Sequence, residues 1–74
     1  MEEKSLSRQQ HQVLEYIEQF GSITPLDALE DLGIYRLSAR IKDLRELGYP
    51  IVTTMEYYFE NGIFKKYARY SIKK

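Results

Sequence analysis

The sequence predicts a mainly helical α+β domain in which three helices precede a two-stranded β-hairpin. Three observations carry that expectation. Apolar residues recur at helical spacing in three short segments, each followed by a glycine at position 21, 33 or 48. Hydroxyl residues, Ser7 and Thr24, stand where two of those segments begin. After Pro50 the pattern changes to β-rich runs on either side of Asn61-Gly62, the strongest short-range signal of a hairpin turn.

The first helix lies in SLSRQQHQVLEYIEQFGS. Ser7 is its N-cap, with Gln10 at capping-box spacing and Leu6 placed to staple back. Val13, Leu14, Ile17 and Phe20 share one face, with Tyr16 at its edge, and Gly21 supplies the left-handed ending. The second helix lies in ITPLDALEDLGI. Thr24 caps it, and Pro25 takes the first helical position, where its missing N–H costs nothing. Asp27 sits in the first turn, favourable to the helix dipole. Leu26, Leu29 and Leu32 are expected to face inward, and Ile23 to form a stub of strand.

The third helix is expected over residues 35–47. At about 100° per residue, Leu37, Ile41 and Leu44 fall on one buried stripe. Arg36, Ala39, Lys42, Asp43 and Glu46 point outward, Ser38 lies on the flank, and Arg40 and Arg45 border the core.

The hairpin occupies residues 51–72. A two-residue type I′ loop at Asn61-Gly62 places Phe59 opposite Phe64, Met55 opposite Ala68, Thr53 opposite Tyr70 and Ile51 opposite Ile72. That face, apolar at its base, is expected to close the core. Val52, Thr54, Glu56, Tyr67, Arg69 and Ser71 make the wetter face. Strands of roughly eight or more residues at about 3.4 Å each outreach three short helices, so the tip around residues 57–66 is expected to project.

A chain of 74 residues leaves room for one hydrophobic core, so residues 1–74 read as a single domain ordered from about 7 to 72. Without cysteine, disulfides and thiolate metal sites are excluded. The start, MEEKSLSRQQ, is too polar for a signal peptide, and no apolar run is long enough for a membrane span. Eleven basic and eleven acidic residues cancel, yet they are unevenly placed. Residues 1–33 hold two basic and seven acidic side chains, a balance of −5; residues 34–74 hold nine and four, a balance of +5. A molecule with one basic pole can hold a polyanion at zero net charge.

The second and third segments, joined by the tight LGIYR turn, have the layout of a helix-turn-helix, and the hairpin after them has the place of a wing. The chain is therefore similar to winged helix-turn-helix DNA-binding domains. More narrowly, RLSARIKDLRELGYPI resembles a small helix-turn-helix family common in phages and prophages. The resemblance spans about residues 7–72. It implies that the helix over 35–47 enters the major groove of double-stranded DNA, with the 51–72 hairpin as a wing.

What the resemblance implies falls on particular residues. Arg36 would fork onto a guanine edge or a phosphate, Ser38 would bond either, and Lys42 would neutralise phosphate. Ala39 offers a methyl group, and no hydrogen bond, at a position where a long polar side chain is often found. Lys65 and Lys66, just after the turn, would meet backbone or minor groove, with Arg45 and Arg69 adding positive charge. Plainer readings stand beside these. The outward face of the third helix is also what a solvated helix of mixed charge looks like, and its Asp43 and Glu46 would repel phosphate. Arg40 and Arg45 at the core border suit pairing with an acid of the second helix, such as Asp27 or Asp31. Lysines beside a turn also protect a hairpin edge.

Two function classes follow. The first is a DNA-binding regulator of transcription or an accessory factor for recombination, of phage or prophage type, acting in the bacterial cytoplasm or nucleoid. One unit this small reads few base pairs, which implies a homodimer or tandem binding. The second is a protein-interaction module on the same scaffold, such as a small phage protein that inhibits a host factor, with Tyr57, Phe59 and Phe64 as the contact surface. No sequence feature supports an enzyme, a metal site or a cofactor: His11 is the single histidine, and neither a Gly-rich phosphate loop nor a nucleophile motif is present.

Overall fold

A computed structural model describes residues 6–73. Helix α1 spans Arg8–Phe20, α2 opens over Pro25–Asp27 and continues as a π-helical segment over Ala28–Leu32, and α3 spans Leu37–Glu46. Strands β1 (Ile51–Glu60) and β2 (Ile63–Ile72) form an antiparallel pair. The molecule is elongated, 56 × 25 × 20 Å, because the hairpin is longer than the helical body it rests on.

Local chemistry explains most boundaries. The Ser7 hydroxyl accepts from the Gln10 N–H at 3.2 Å while the Gln10 side chain accepts from the Ser7 N–H at 3.0 Å. Thr24 and Asp27 repeat the exchange at 3.1 and 3.0 Å. Each box satisfies two N–H groups that a helix start otherwise leaves unpaired. The turn is type I′, with φ of 52° at Asn61 and 77° at Gly62, and every residue pairing expected of it is present. Ile23 exchanges two backbone hydrogen bonds of 2.9 Å with Tyr70, the expected strand stub.

The core comprises Val13, Ile17, Ile23, Ala28, Ile34, Leu37, Ile41, Leu44 and Ile51. Leu6, Tyr16, Leu32, Tyr49, Tyr70 and Ile72 pack around it. The α3 stripe is therefore as expected, although the helix begins two residues later, at Leu37, with Arg36 at its N-cap.

Three expectations are corrected. Leu26 and Leu29 do not face inward; they are 59% and 42% exposed, and Ala28 is buried in their place. The cause is the π-helical segment. Its wider turn breaks the spacing of an α-helix, and the Ile34 N–H reaches back six residues to the Ala28 carbonyl at 2.9 Å, carrying Ile34 into the core. Phe20, placed on the buried face of α1, is 63% exposed and leans on Tyr16 with ring centroids 4.6 Å apart. The wetter face of the hairpin is also partly covered, since Glu56, Tyr67, Arg69 and Ser71 are half-buried.

Candidate nucleic-acid interface

Arg36, Arg40, Lys42 and Arg45 all lie between residues 33 and 51, and the fold sorts them into two pairs. Arg40 and Arg45 are tied down. The Arg40 Nε donates to Asp43 at 2.9 Å, and its Nη1 donates to Gln9 of α1 at 3.1 Å. Gln10 adds a second donor to the same Asp43 carboxylate at 3.1 Å. Arg40 thus pairs with an acid one turn along its own helix, not with Asp27 or Asp31 of α2. Asp43 correspondingly lies half-buried, its charge matched, instead of projecting from the outward face. The one acid of the helix left outward is Glu46.

Arg45 bridges helix and hairpin. Its Nε donates to the Ile51 carbonyl at 3.0 Å and its Nη2 to the Thr53 hydroxyl at 2.8 Å. The planar guanidinium reaches both acceptors in one orientation, so it fixes the angle at which β1 leaves α3.

Arg36 and Lys42 remain outward. Arg36 is exposed, and its side chain makes no hydrogen bond or ion pair among the described residues. Ser38 beside it is exposed, and Ala39 is half-buried. Lys42 lies 4.0 Å from Glu46, with both side chains mostly in solvent. Such a contact contributes little and is readily exchanged for another partner. The N-termini also differ: α1 and α2 are each closed by a capping box, whereas α3 starts without a side-chain cap. No side chain takes its first N–H groups, although the Ala39 N–H already donates to the Arg36 carbonyl at 3.1 Å.

On the hairpin, Lys65 lies 3.3 Å from Glu60, and Lys66 is exposed without an ion pair among the described residues. Arg69 is placed differently. Its Nε meets Glu56 at 3.0 Å and its Nη1 donates to Ser22 at 2.9 Å, while the Tyr67 hydroxyl donates to the same Glu56 at 2.6 Å. The Tyr67 hydrogen bond, followed by the Arg69 guanidinium, holds the Glu56 carboxyl below its ordinary range. The network clasps β2 to the segment leading into α2. A second clasp joins α1 to the π-helical segment, where Tyr16 donates to Asp31 at 2.5 Å. That bond, with burial and the nearby charges of Asp27 and Asp31, pushes the Tyr16 phenol up to about 12.

Sequence reasoning missed Arg45's bond to Ile51 across the turn after α3, and the Arg40–Gln9 link and the Arg69–Ser22 clasp, which span 31 and 47 positions of the chain. The available signal was weak: an arginine at a core border calls for an acceptor without saying which one.

A third helix following a tight turn, packed by its Leu37–Ile41–Leu44 stripe and succeeded by a projecting hairpin, defines the winged-helix class. A family model described as a winged helix-turn-helix domain matches residues 8–74. The chain belongs to that family, whose members are typically DNA-binding, non-enzymatic modules. Comparison with curated proteins and with solved structures gave no match. No helix among the described residues is long and apolar enough to cross a membrane.

Proposed function

We propose that this protein binds double-stranded DNA sequence-specifically, with the N-terminal half of α3 in the major groove and the wing against the adjacent backbone. On this reading it is a phage- or prophage-type regulator of transcription or an accessory factor in recombination, working in the bacterial cytoplasm or nucleoid as a homodimer or in tandem.

One observation supports this best: Arg36, Ser38 and Lys42 stay outward at an uncapped helix start, while Asp43 on the same helix is matched by Arg40. Arg36 reads a guanine edge or a phosphate, Ser38 bonds at either, Lys42 neutralises phosphate, and Ala39 allows close approach. Lys65 and Lys66 contact backbone from the wing. Arg45 and Arg69 serve by holding the wing at its angle, and their remaining positive charge adds to the pole.

A salt titration on random-sequence duplex tests the reading. Each lost phosphate contact lowers the slope of log K against log salt by about 0.9. Arg36→Ala/Lys42→Ala should therefore flatten the slope by up to about 1.8 while the fold persists. Arg36→Ala should also relax preference at one base pair by about 1–3 kcal/mol if it reads guanine. A folded double variant that binds like the wild type at every salt concentration would refute the role of α3.

One observation favours the second class, a protein-interaction module. An open, mostly apolar groove of about 830 Å³ runs between α2 and the hairpin, lined by Leu26, Leu29, Tyr35, Tyr58 and Tyr67. Binding to a protein partner that survives Arg36→Ala/Lys42→Ala and is lost on changing Leu26, Leu29 or Tyr58 in the groove, or Tyr57, Phe59 or Phe64 on the hairpin, would move the function there.

A further inference from the structure

The hairpin tip carries more apolar surface than a contact to phosphates needs. Phe59 and Phe64 face each other across the strands with ring centroids 4.9 Å apart, edge to face, and are 62% and 77% exposed. Ile63 beside them is 58% exposed, and Tyr57 is 68% exposed. None of these side chains belongs to the core. Positive charge lies next to them: Lys65 and Lys66 follow Phe64 directly, and Lys66 makes no ion pair among the described residues. Exposed apolar rings beside lysines at the end of an arm match the chemistry of a DNA base step, a flat apolar stack flanked by phosphates.

The reach fits as well. Phe59 is eight residues beyond Ile51, where β1 leaves the core, or about 27 Å at ~3.4 Å per residue. A minor groove lies half a helical turn from the major groove that α3 would occupy, about 17 Å along the axis.

We propose that the wing tip is a minor-groove wedge: Phe59 and Phe64 press between two base pairs, Lys65 and Lys66 hold the flanking phosphates, and the DNA bends. This rests on the DNA-binding reading above. The bend is a geometric consequence. Two strands about 4.8 Å apart, with their side chains, are wider than a minor groove of about 6 Å. Entry therefore opens the groove and unstacks a step, which turns the duplex toward the major groove by about 20–90°. Pyrimidine–purine steps such as TA unstack most readily and should be preferred.

The test uses the whole chain and a duplex of about 30 base pairs with TA steps, labelled at its ends for energy transfer and carrying 2-aminopurine beside one TA step; 30 base pairs span roughly three helical turns. Wild type should shorten the end-to-end distance and raise 2-aminopurine fluorescence. Phe59→Ala/Phe64→Ala should bind with an unchanged salt slope and leave the DNA straight, whereas Phe59→Leu/Phe64→Leu, which keeps apolar bulk, should retain part of the bend. Wild type bound to straight DNA with silent 2-aminopurine would overturn the wedge and leave the DNA-binding reading intact, whatever the variants do. Equal bending by the alanine variant would also overturn it. Absence of any duplex binding at low salt refutes the DNA-binding reading itself. A loss of self-association in the alanine variant, with bending unaltered, assigns the tip to a protein contact instead.

Discussion

Replacing Arg45 with alanine separates two roles that its charge alone leaves open. The structure gives the side chain two acceptors, the Ile51 carbonyl at 3.0 Å and the Thr53 hydroxyl at 2.8 Å. Hydrogen bonds from a charged donor contribute about 1.5–3 kcal/mol each when well shielded. Here the guanidinium is exposed and water can replace it at both acceptors, so the loss should be nearer 1 kcal/mol in total. For a chain of this size, whose total stability is on the order of 4–11 kcal/mol, that loss is easily measured. With an m-value of about 1 kcal/mol per M urea, the unfolding midpoint should fall by about 1 M, followed by circular dichroism. Arg45→Lys should recover less than half of the loss, because a point-like ammonium cannot span both acceptors. In the salt titration, Arg45→Ala should leave the slope almost unchanged. An unaltered urea midpoint together with a slope lowered by about 0.9 would refute the bridging role and make Arg45 a phosphate contact.

The remaining predictions concern the core and the two clasps. Ile41→Ala, at 1% exposure on α3, should cost about 2–5 kcal/mol; a loss below about 1 kcal/mol in chemical denaturation would mean the stripe is not load-sharing core. In an alkaline spectrophotometric titration, one of the seven tyrosines should ionise late, near pH 12, and Tyr16→Phe should remove that phase. Since the folded phenol is raised above its ordinary 10.0, its stabilisation is complete below pH 10 and lost between there and about 12, so wild type and Tyr16→Phe should converge in that window. Glu56 works in the opposite sense: its folded carboxyl is lowered, so its stabilisation holds above the ordinary 4.5 and fades as pH falls through the lower folded value. Glu56→Gln should flatten the acid limb of stability against pH; an acid limb identical to wild type would show that the clasp with Tyr67 and Arg69 does not form in solution.

How much was legible in the sequence depended on the range of the interaction. Ser7 with Gln10 and Thr24 with Asp27 are bonds across three residues, so the chain announces them whatever the rest of the fold does. Asn61-Gly62 sets the whole hairpin register from two positions, because a two-residue loop admits one pairing. Leu37, Ile41 and Leu44 recur at the α-helical period and meet the core on one face. The helix over 25–32 misled for a related reason: its leucines are read at the α-helical period, but the backbone turns π-helical from Ala28 to Leu32, and Ala28 and Ile34 bury themselves where Leu26 and Leu29 were expected.

The sequence by itself determined the order of elements, the caps of the first two helices, the hairpin register and the buried stripe of α3. All of these follow from contacts within a few residues or from backbone period. Tertiary structure alone decided which charges stay available. Arg40 is drawn to Asp43 and Gln9, Arg45 to the base of β1 and Arg69 to Glu56 and Ser22, leaving Arg36, Lys42 and Lys66 outward. An arginine's long, flexible side chain reaches whichever acceptor packing brings near, and Ser22 lies 47 residues from Arg69 along the chain. Proximity of that kind is a property of the folded core, and no local pattern encodes it.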